Sequence, residues 1–588
     1  MLAILVAMFL IFNSFYLSIN QRKTTLGTLR AIGATKKQIF LSILFEAIVV
    51  GSIATFFGIV IGIVLGKSLL ILVTRTINDI YFNITANTIH ISSFTIIKGI
   101  FVGLFASVIS TIIPAWIAMN VSPIRNMRQS DIDERANHKL WVFTALGLFF
   151  SLIALISIFT SKRNIEIGII GIFLLIIGIS FFIPALIKVT LSIIEITMSR
   201  FLEIPEKLAI GNIKQSLSTA SVIIIGLMIA VSVYVSVELM IGSFRNTVSS
   251  WLDTTLSADV FITTNNIRND KTLPPGKLIL KELQNLPNIS GIDTSRHVKV
   301  LSDKYGPINL IALTNDISIR NRKFIWKKAK TEKLEELFKS GELIISENFA
   351  YKKNINNPGQ TKIELLTDVG LKDFKIAGIY KDYASQSGSI LIDDSIYRAN
   401  WDDKNITSIA IFIKNKEDIQ DFISRLKQTI GSQFNLKIQS DYELKKSALT
   451  TFDRTFKVTS ALRILIIIVA FIGILSSLIS LELKRKREIG ILKASGMVRN
   501  QIRRMVLFET GTMGLLAGAF SIPLGILMSI ILIFVINVRS FGWTIDFSLD
   551  LSPLFIALLI SLISSLLAGI YPSYRFEKLK TVDCIRDE

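Results

Sequence analysis

The stretch LELKRKREIGILKASGMVRNQIRRMVLFETGTMGLLAG, residues 481–518, runs from a basic segment through an amphipathic one into a long apolar one. A diverged copy, NQRKTTLGTLRAIGATKKQIFLSILFEAIVVG, occupies residues 20–51. A constant offset of 463 residues superposes the two without a gap: Gly490 falls on Gly27, Lys493 on Arg30, Gly496 on Gly33, Gln501 on Gln38, Phe508 on Phe45, Glu509 on Glu46 and Gly514 on Gly51. One repeat at so long a spacing marks two duplicated halves and not a solenoid. Both halves also close alike, from Pro114 into VSPIRNMR and from Pro572 into LKTVDCIRDE, which sets Arg128 opposite Arg586.

Around this repeat the chain is apolar. Its 588 residues are 51% hydrophobic with mean hydropathy +0.54, outside the range of a soluble domain. Apolar runs of bilayer-spanning length predict nine helices, near 1–19, 41–73, 93–118, 141–159, 167–190, 218–241, 457–483, 506–536 and 551–574. The fold class is therefore an α-helical polytopic membrane protein. The net charge of +20 would suit nucleic acid, but its distribution does not: segments 20–40, 121–140, 188–217, 484–504 and 575–588 hold 25 Lys and Arg. The short loops between the opposite helix ends hold only Arg75, Lys162, Arg163 and Arg539. The first set is cytoplasmic by the positive-inside rule, and contact with lipid headgroups accounts for it without nucleic acid. A single cysteine, Cys584, allows no internal disulfide. His90, His138 and His297 are scattered and form no metal-ligand spacing.

Met1 opens directly in apolar sequence, without a basic n-region or cleavage site before Asn20, so no signal peptide is expected. The repeat register aligns Met1 with Ile464, inside a helix that starts near Phe456; the reading is a first helix clipped by about two turns, in a truncated or split chain. Gly58, Gly62 and Gly66 form a small-residue stripe suited to helix packing in lipid. The tripeptide Gly66-Lys67-Ser68 is no phosphate loop, because Ile61 stands where its first glycine belongs and no strand precedes it. Two helices within 141–190 link the halves, and FLEIPEKLAIGNIKQSL, residues 201–217, reads as an amphipathic helix along the cytoplasmic face.

Residues 242–455 change character: polar, proline-bearing and alternating in pattern, they predict an external α+β domain. Strands are expected at 258–263, 308–313, 343–346, 375–380, 389–392, 408–413 and 436–440, with helices at 277–286 and 416–430. Asp382, Asp393, Asp394, Asp402 and Asp403 cluster in sequence but match no calcium loop, and turns or strand ends explain them. The resulting organisation is a first repeat unit at 1–125, linking helices and the amphipathic helix at 126–217, a membrane helix at 218–241, the external domain at 242–455 and a second repeat unit at 456–588.

A basic run, then E-I-G-I-L-K-A-x-G, a Q-I pair and a helix carrying F-E resembles the FtsX/MacB-like permease family of ABC transporters. GIYKDYASQSGSILIDDSIYRANWDDKNITSIAIFI, residues 378–413, is similar to double-length members of the same family. The resemblance implies a cytoplasmic coupling element that docks on a separate ATPase dimer. It points to Arg22, Lys23, Gly27, Arg30 and Gly33 in the first copy and Arg485, Arg487, Glu488, Gly490, Lys493 and Gly496 in the second. The first copy departs from the motif, with Thr24 and Thr25 where Arg487 and Glu488 stand. The glycine pairs are expected to form the turn between the basic run and the spanning helix. Glu46 and Glu509, one turn into hydrocarbon, are expected to be structural carboxylates paired with Lys37 and with Arg503 or Arg504. No catalytic, cofactor or metal site is expected. Partners are the ATPase, membrane lipid and an upstream-encoded permease fragment or second permease chain. Two other readings stay open: a non-transporting regulator that activates an external enzyme, and an inactive split-gene fragment.

Overall fold

A computed structural model of the chain describes residues 2–78, 92–120, 140–161, 163–198, 200–264, 276–284, 286, 288–314, 317–415, 419–431, 434 and 436–578. The expectations for His90, His138, Arg128, Cys584 and Arg586 lie outside these residues.

The first half comprises α1 (Leu2–Gln21), α2 (Lys23–Ala31), α3 (Lys36–Asn78) and α4 (Ser93–Met119). Then come α5 (Leu140–Thr160), α6 (Ile165–Met198), the short α7 (Ile204–Gln215) and α8 (Leu217–Thr255). Seven helices among the described residues are long and apolar enough to cross a membrane: α3, α4, α5, α6, α8 and two in the second half, at Arg499–Phe541 and Leu551–Arg575. The other two expected spans, 1–19 and 457–483, fall in α1 and in a 54-residue helix, Asp441–Ala494.

Small residues set the helix contacts in both halves, as expected where close van der Waals approach replaces the hydrophobic effect. A Cβ added to Gly51 of α3 would meet the Ser107 hydroxyl of α4 at 2.7 Å, and one added to Gly514 would meet that of Ser565 at 1.9 Å. One turn on, the pair is reversed: Gly103 faces Thr55 in the first half, where Ser561 faces Gly518 in the second. The duplication read from the coupling segment thus extends through the membrane.

Between the halves stands the sheet domain. Its strands are β1 (Val260–Thr264), β2 (Ile289–Ser302), β3 (Gly306–Leu313), β4 (Phe324–Lys327), β5 (Leu343–Ser346), β6 (Lys362–Thr367), β7 (Gly370–Tyr380), β8 (Ser389–Asp393), β9 (Ser408–Ile413) and β10 (Leu436–Ser440). They line up as β10-β1-β9-β2-β3-β8-β5-β7-β4, with β6 folded back on β7. The β3–β8 and β5–β7 pairs are parallel and the rest antiparallel. β5 and β8 are buried on both faces and read as unbroken apolar runs, whereas β9 alternates. The seven expected strands are all present. Three were missed: β2 carries Asp293, Arg296 and His297, β4 is a four-residue edge strand, and β6 is half of a hairpin. The five clustered aspartates go to separate partners. Asp382 accepts from Ser389, Asp393 caps a helix through the Ser395 amide, Asp394 pairs with Arg398 and Asp403 with Arg296, while Asp402 is exposed near Lys404.

The domain stands on two helices, α8 below β1 and the helix Asp441–Ala494 below β10. The second begins in a capping box: the Glu443 amide donates to the Ser440 hydroxyl at 3.1 Å and the Ser440 amide to the Glu443 carboxylate at 3.3 Å. Arg245 clamps Asp453 with two bonds of 2.8 and 3.1 Å, joining the stalks. A third attachment is the extended segment 542–550, which follows a π-helical turn at Leu532–Asn537. Its Trp543 and Ile545 are buried with Ile533, Phe244 and Tyr383. The Thr544 amide donates to Glu347 at 3.0 Å, Tyr383 donates to the Thr544 carbonyl at 2.6 Å, and Lys381 meets Asp546 at 2.5 Å.

Candidate coupling site

Both copies of the repeated segment form the same turn, hydrogen bond for hydrogen bond. In the first, the Gly33 amide donates to the Arg30 carbonyl at 3.2 Å and the Ala34 amide to the Leu29 carbonyl at 3.0 Å. In the second, Gly496 donates to Lys493 at 3.1 Å and Met497 to Leu492 at 3.0 Å. This is the Schellman close of a helix, and it requires a left-handed residue just past the end. Gly33 has φ +112° and Gly496 φ +96°, a region any Cβ makes costly. The next helix then starts with a glutamine reaching back: Gln38 accepts from the Thr35 amide at 2.8 Å, and Gln501 from the Val498 amide at 3.1 Å. Thr35 completes the box by accepting from the Gln38 amide; Val498 has no acceptor, so only the glutamine half exists there.

Only half of each glycine pair makes the turn. Gly27 and Gly490 lie within helices, and both are buried. The approach to the turn also differs between the copies. The second basic run is the last part of the continuous helix Asp441–Ala494, whereas the first is broken at Arg22, between α1 and α2. For Lys23, Arg485 and Arg487 the structure describes the helical backbone. Arg30 and Lys493 are half-buried at the two turns, and Glu488 is exposed.

Glu46 finds another partner than expected. Glu46 does not pair with Lys37; it accepts from Arg22 at 3.1 and 3.2 Å, so the broken helix end folds back on α3. Glu509 is 4% exposed. The Arg504 guanidinium meets Glu203 at 2.7 Å and Glu206 at 2.5 Å, at the start of α7. That contact was not anticipated, although Glu203 and Glu206 flank Pro205 where an N-terminal helix turn favours acids. Instead of resting its apolar side on lipid, α7 packs Ala209 against Ile489, Ile502, Met505 and Val506. The amphipathic helix is thus a brace on the second coupling turn.

Each turn leaves apolar side chains in the open. Ile32 is 79% exposed beside Leu29 in the first copy; Ile491 and Val498 are exposed in the second. Exposed aliphatics thus stand beside basic residues at both turns, at positions that the repeat offset does not superpose. The sequence analysis did not single them out.

The comparisons with known proteins agree with this architecture. The family model for the FtsX-like permease C-terminal matches twice, over residues 1–123 and 460–580, one match per half. The ABC transporter permease protein Rv0987 of Mycobacterium tuberculosis is 33% identical over all of this chain and 69% of its own length. The lipoprotein-releasing system transmembrane protein LolC of Haemophilus influenzae is 27% identical over 44% of the chain and 67% of its own length. The macrolide export ATP-binding/permease protein MacB of Escherichia coli K12 is 23% identical over 36% of the chain and 31% of its own. The chain belongs to the FtsX-like family of ABC transporter permeases. It is a multi-pass inner-membrane protein whose sheet domain lies outside the cytoplasm.

Proposed function

We propose that this chain is the transmembrane subunit of an ABC transporter whose separate cytoplasmic ATPase dimer grips the two turns at Gly33 and Gly496 and so moves the external domain. The observation that carries this reading is the identical backbone turn 463 residues apart, with an exposed apolar and basic surface at each copy. Arg22, Lys23 and Arg30 in one half, and Arg485, Arg487, Glu488 and Lys493 in the other, would supply the charged rim. Gly27 and Gly490 would let the helix before each turn pack closely. ATP hydrolysis belongs to the partner, and this chain contributes no catalytic residue. Relatives named for lipoprotein release and for macrolide export favour a lipid, lipoprotein or peptide-like cargo, exported or extracted on the outer side.

The test is a pull-down of the tagged chain from native membranes, followed by mass spectrometry. An ABC ATPase is expected with the unaltered chain and is expected to be lost when Gly33 and Gly496 are both replaced by valine. An abundant, folded chain that recovers no ATPase would overturn the reading.

A further inference from the structure

The helices that link the halves are fastened at both ends to one helix of the second half. Arg504 and Arg539 lie near opposite ends of the helix Arg499–Phe541. At the cytoplasmic end Arg504 holds Glu203 and Glu206 at the start of α7, which packs on the second turn through Ala209. At the outer end Arg539 reaches the tip of the α5–α6 hairpin. Its guanidinium donates to the Ile158 carbonyl at 2.6 Å, in the last turn of α5, and to the Asn164 carbonyl at 2.9 Å, just before α6. The last carbonyls of a helix lack partners of their own and carry its negative end, so a planar cation with several donors suits them. Gly168 admits this approach: a Cβ there would lie 2.8 Å from Ile536 and 3.0 Å from the Arg539 guanidinium.

The same tip touches the external domain. Arg163 lies 5.2 Å over the ring of Tyr351, and a Cβ on Gly542 would meet that ring at 3.0 Å. Between the two fastenings runs α6, a helix of 34 residues that Pro184 does not end, about 51 Å long at 1.5 Å per residue. It outreaches a hydrocarbon layer of about 30 Å. The repeat offset carries Arg504 onto Leu41 and Arg539 onto Thr76, so neither fastening belongs to the duplicated plan. We propose that α5 to α7 form a strap that ties the second turn to the foot of the external domain, so that a displacement at either end is felt at the other. The strap is separate from the helix Asp441–Ala494, which enters the turn from its other side. It makes the tie two-way: whatever moves the foot outside biases the turn inside, and linkage requires the reverse. The proposal deepens the permease reading and rests on it for treating the turn as a coupling element.

The test reads hydrogen exchange of the full chain in lipid nanodiscs. Arg504→Gln frees the cytoplasmic end, and the Thr544 amide outside is expected to exchange about three-fold faster. Arg539→Lys keeps the charge but loses the planar fork, and the amides of α7 inside are expected to speed up in turn. Arg499→Gln, which removes an exposed charge from the same turn, is expected to change neither. Faster exchange confined to the altered end, or an equal response to Arg499→Gln, would overturn the strap. If Arg504→Gln exposes the strands of the sheet domain as well, the milder Glu203→Gln decides: Thr544 must respond while the strands do not. ATPase recovery from native membranes reports separately on the turns. ATPase present without a remote change in exchange rejects the strap alone, while a remote change without ATPase rejects the coupling reading.

Discussion

At the scale of single residues, glycine acts here in two distinct ways. Gly33 and Gly496 supply a left-handed backbone, and a side chain at either costs about 1–2 kcal/mol. Gly27 and Gly490 have helical backbones, so replacement by alanine carries no left-handed strain and favours the helix by about 0.5–1 kcal/mol unless packing opposes it. We therefore expect Gly496→Val to weaken ATPase recovery far more than Gly490→Ala, measured by pull-down at matched protein level. Glu509 is buried about three turns into its helix, and we propose a structural part for it. Glu509→Gln is expected to lower the amount of folded protein more than the ATPase activity per molecule, and normal abundance with lost coupling would contradict this. In the external domain, burial works to raise the Asp403 carboxyl, yet donors from the Asn405 amide, Arg296 and Tyr397 hold it below its usual range. Its stabilising effect is fully present above the unfolded value and is lost as pH falls through the folded one. Asp403→Asn should thus destabilise the domain at neutral pH and flatten its stability profile below pH ~4, as followed by thermal unfolding.

At the scale of elements, apolar length and alternation made most of the architecture legible, and what escaped has identifiable causes. The seven expected strands were those with apolar runs; β4 is held by the distant β7, and β2 and β6 are mixed in polarity and pair in hairpins with the strands that follow them. The repeat register made the turns at Gly33 and Gly496 legible. It could not show that Glu46 meets Arg22 or that Arg504 meets α7, because both contacts join segments that only the fold brings together. Nor did hydropathy show that stalk, membrane span and basic run form one unbroken helix: polar ends on an apolar middle look like separate pieces. That helix, at 1.5 Å per residue, is about 80 Å long. Ala448→Pro, placed outside the membrane in this rod, would cost about 3 kcal/mol of helix and is expected to leave ATPase recovery intact while abolishing transport. The segment 542–550 invites a pH test. Burial raises the Glu347 carboxyl, against the donors from Thr544. A raised acid favours the docked state when protonated, so docking weakens as pH rises from the unfolded value through the folded one. Glu347→Gln should remove that dependence, read as hydrogen exchange of the Thr544 amide.

At the scale of the whole molecule, two half-permeases share one external domain, carried by α8 and the long helix and gripped by segment 542–550 of the second half. Among the described residues, the first half carries no such domain. A force applied at the second turn would pass along a continuous rod, and one applied at the first by contacts of α1 with that rod and with α8. The brace from α7 stiffens the second turn only.

The order of strands also governs how the protein is made. β1 emerges first yet sits between β9 and β10, which follow it by about 150 to 180 residues. Its hydrogen bonds stay open until nearly the entire domain has been translocated, and closing such distant pairs is slow. Biogenesis thus has a vulnerable interval in which an unpaired strand waits outside the membrane, and a chaperone or a delay in translation at that stage would decide the yield of working transporter.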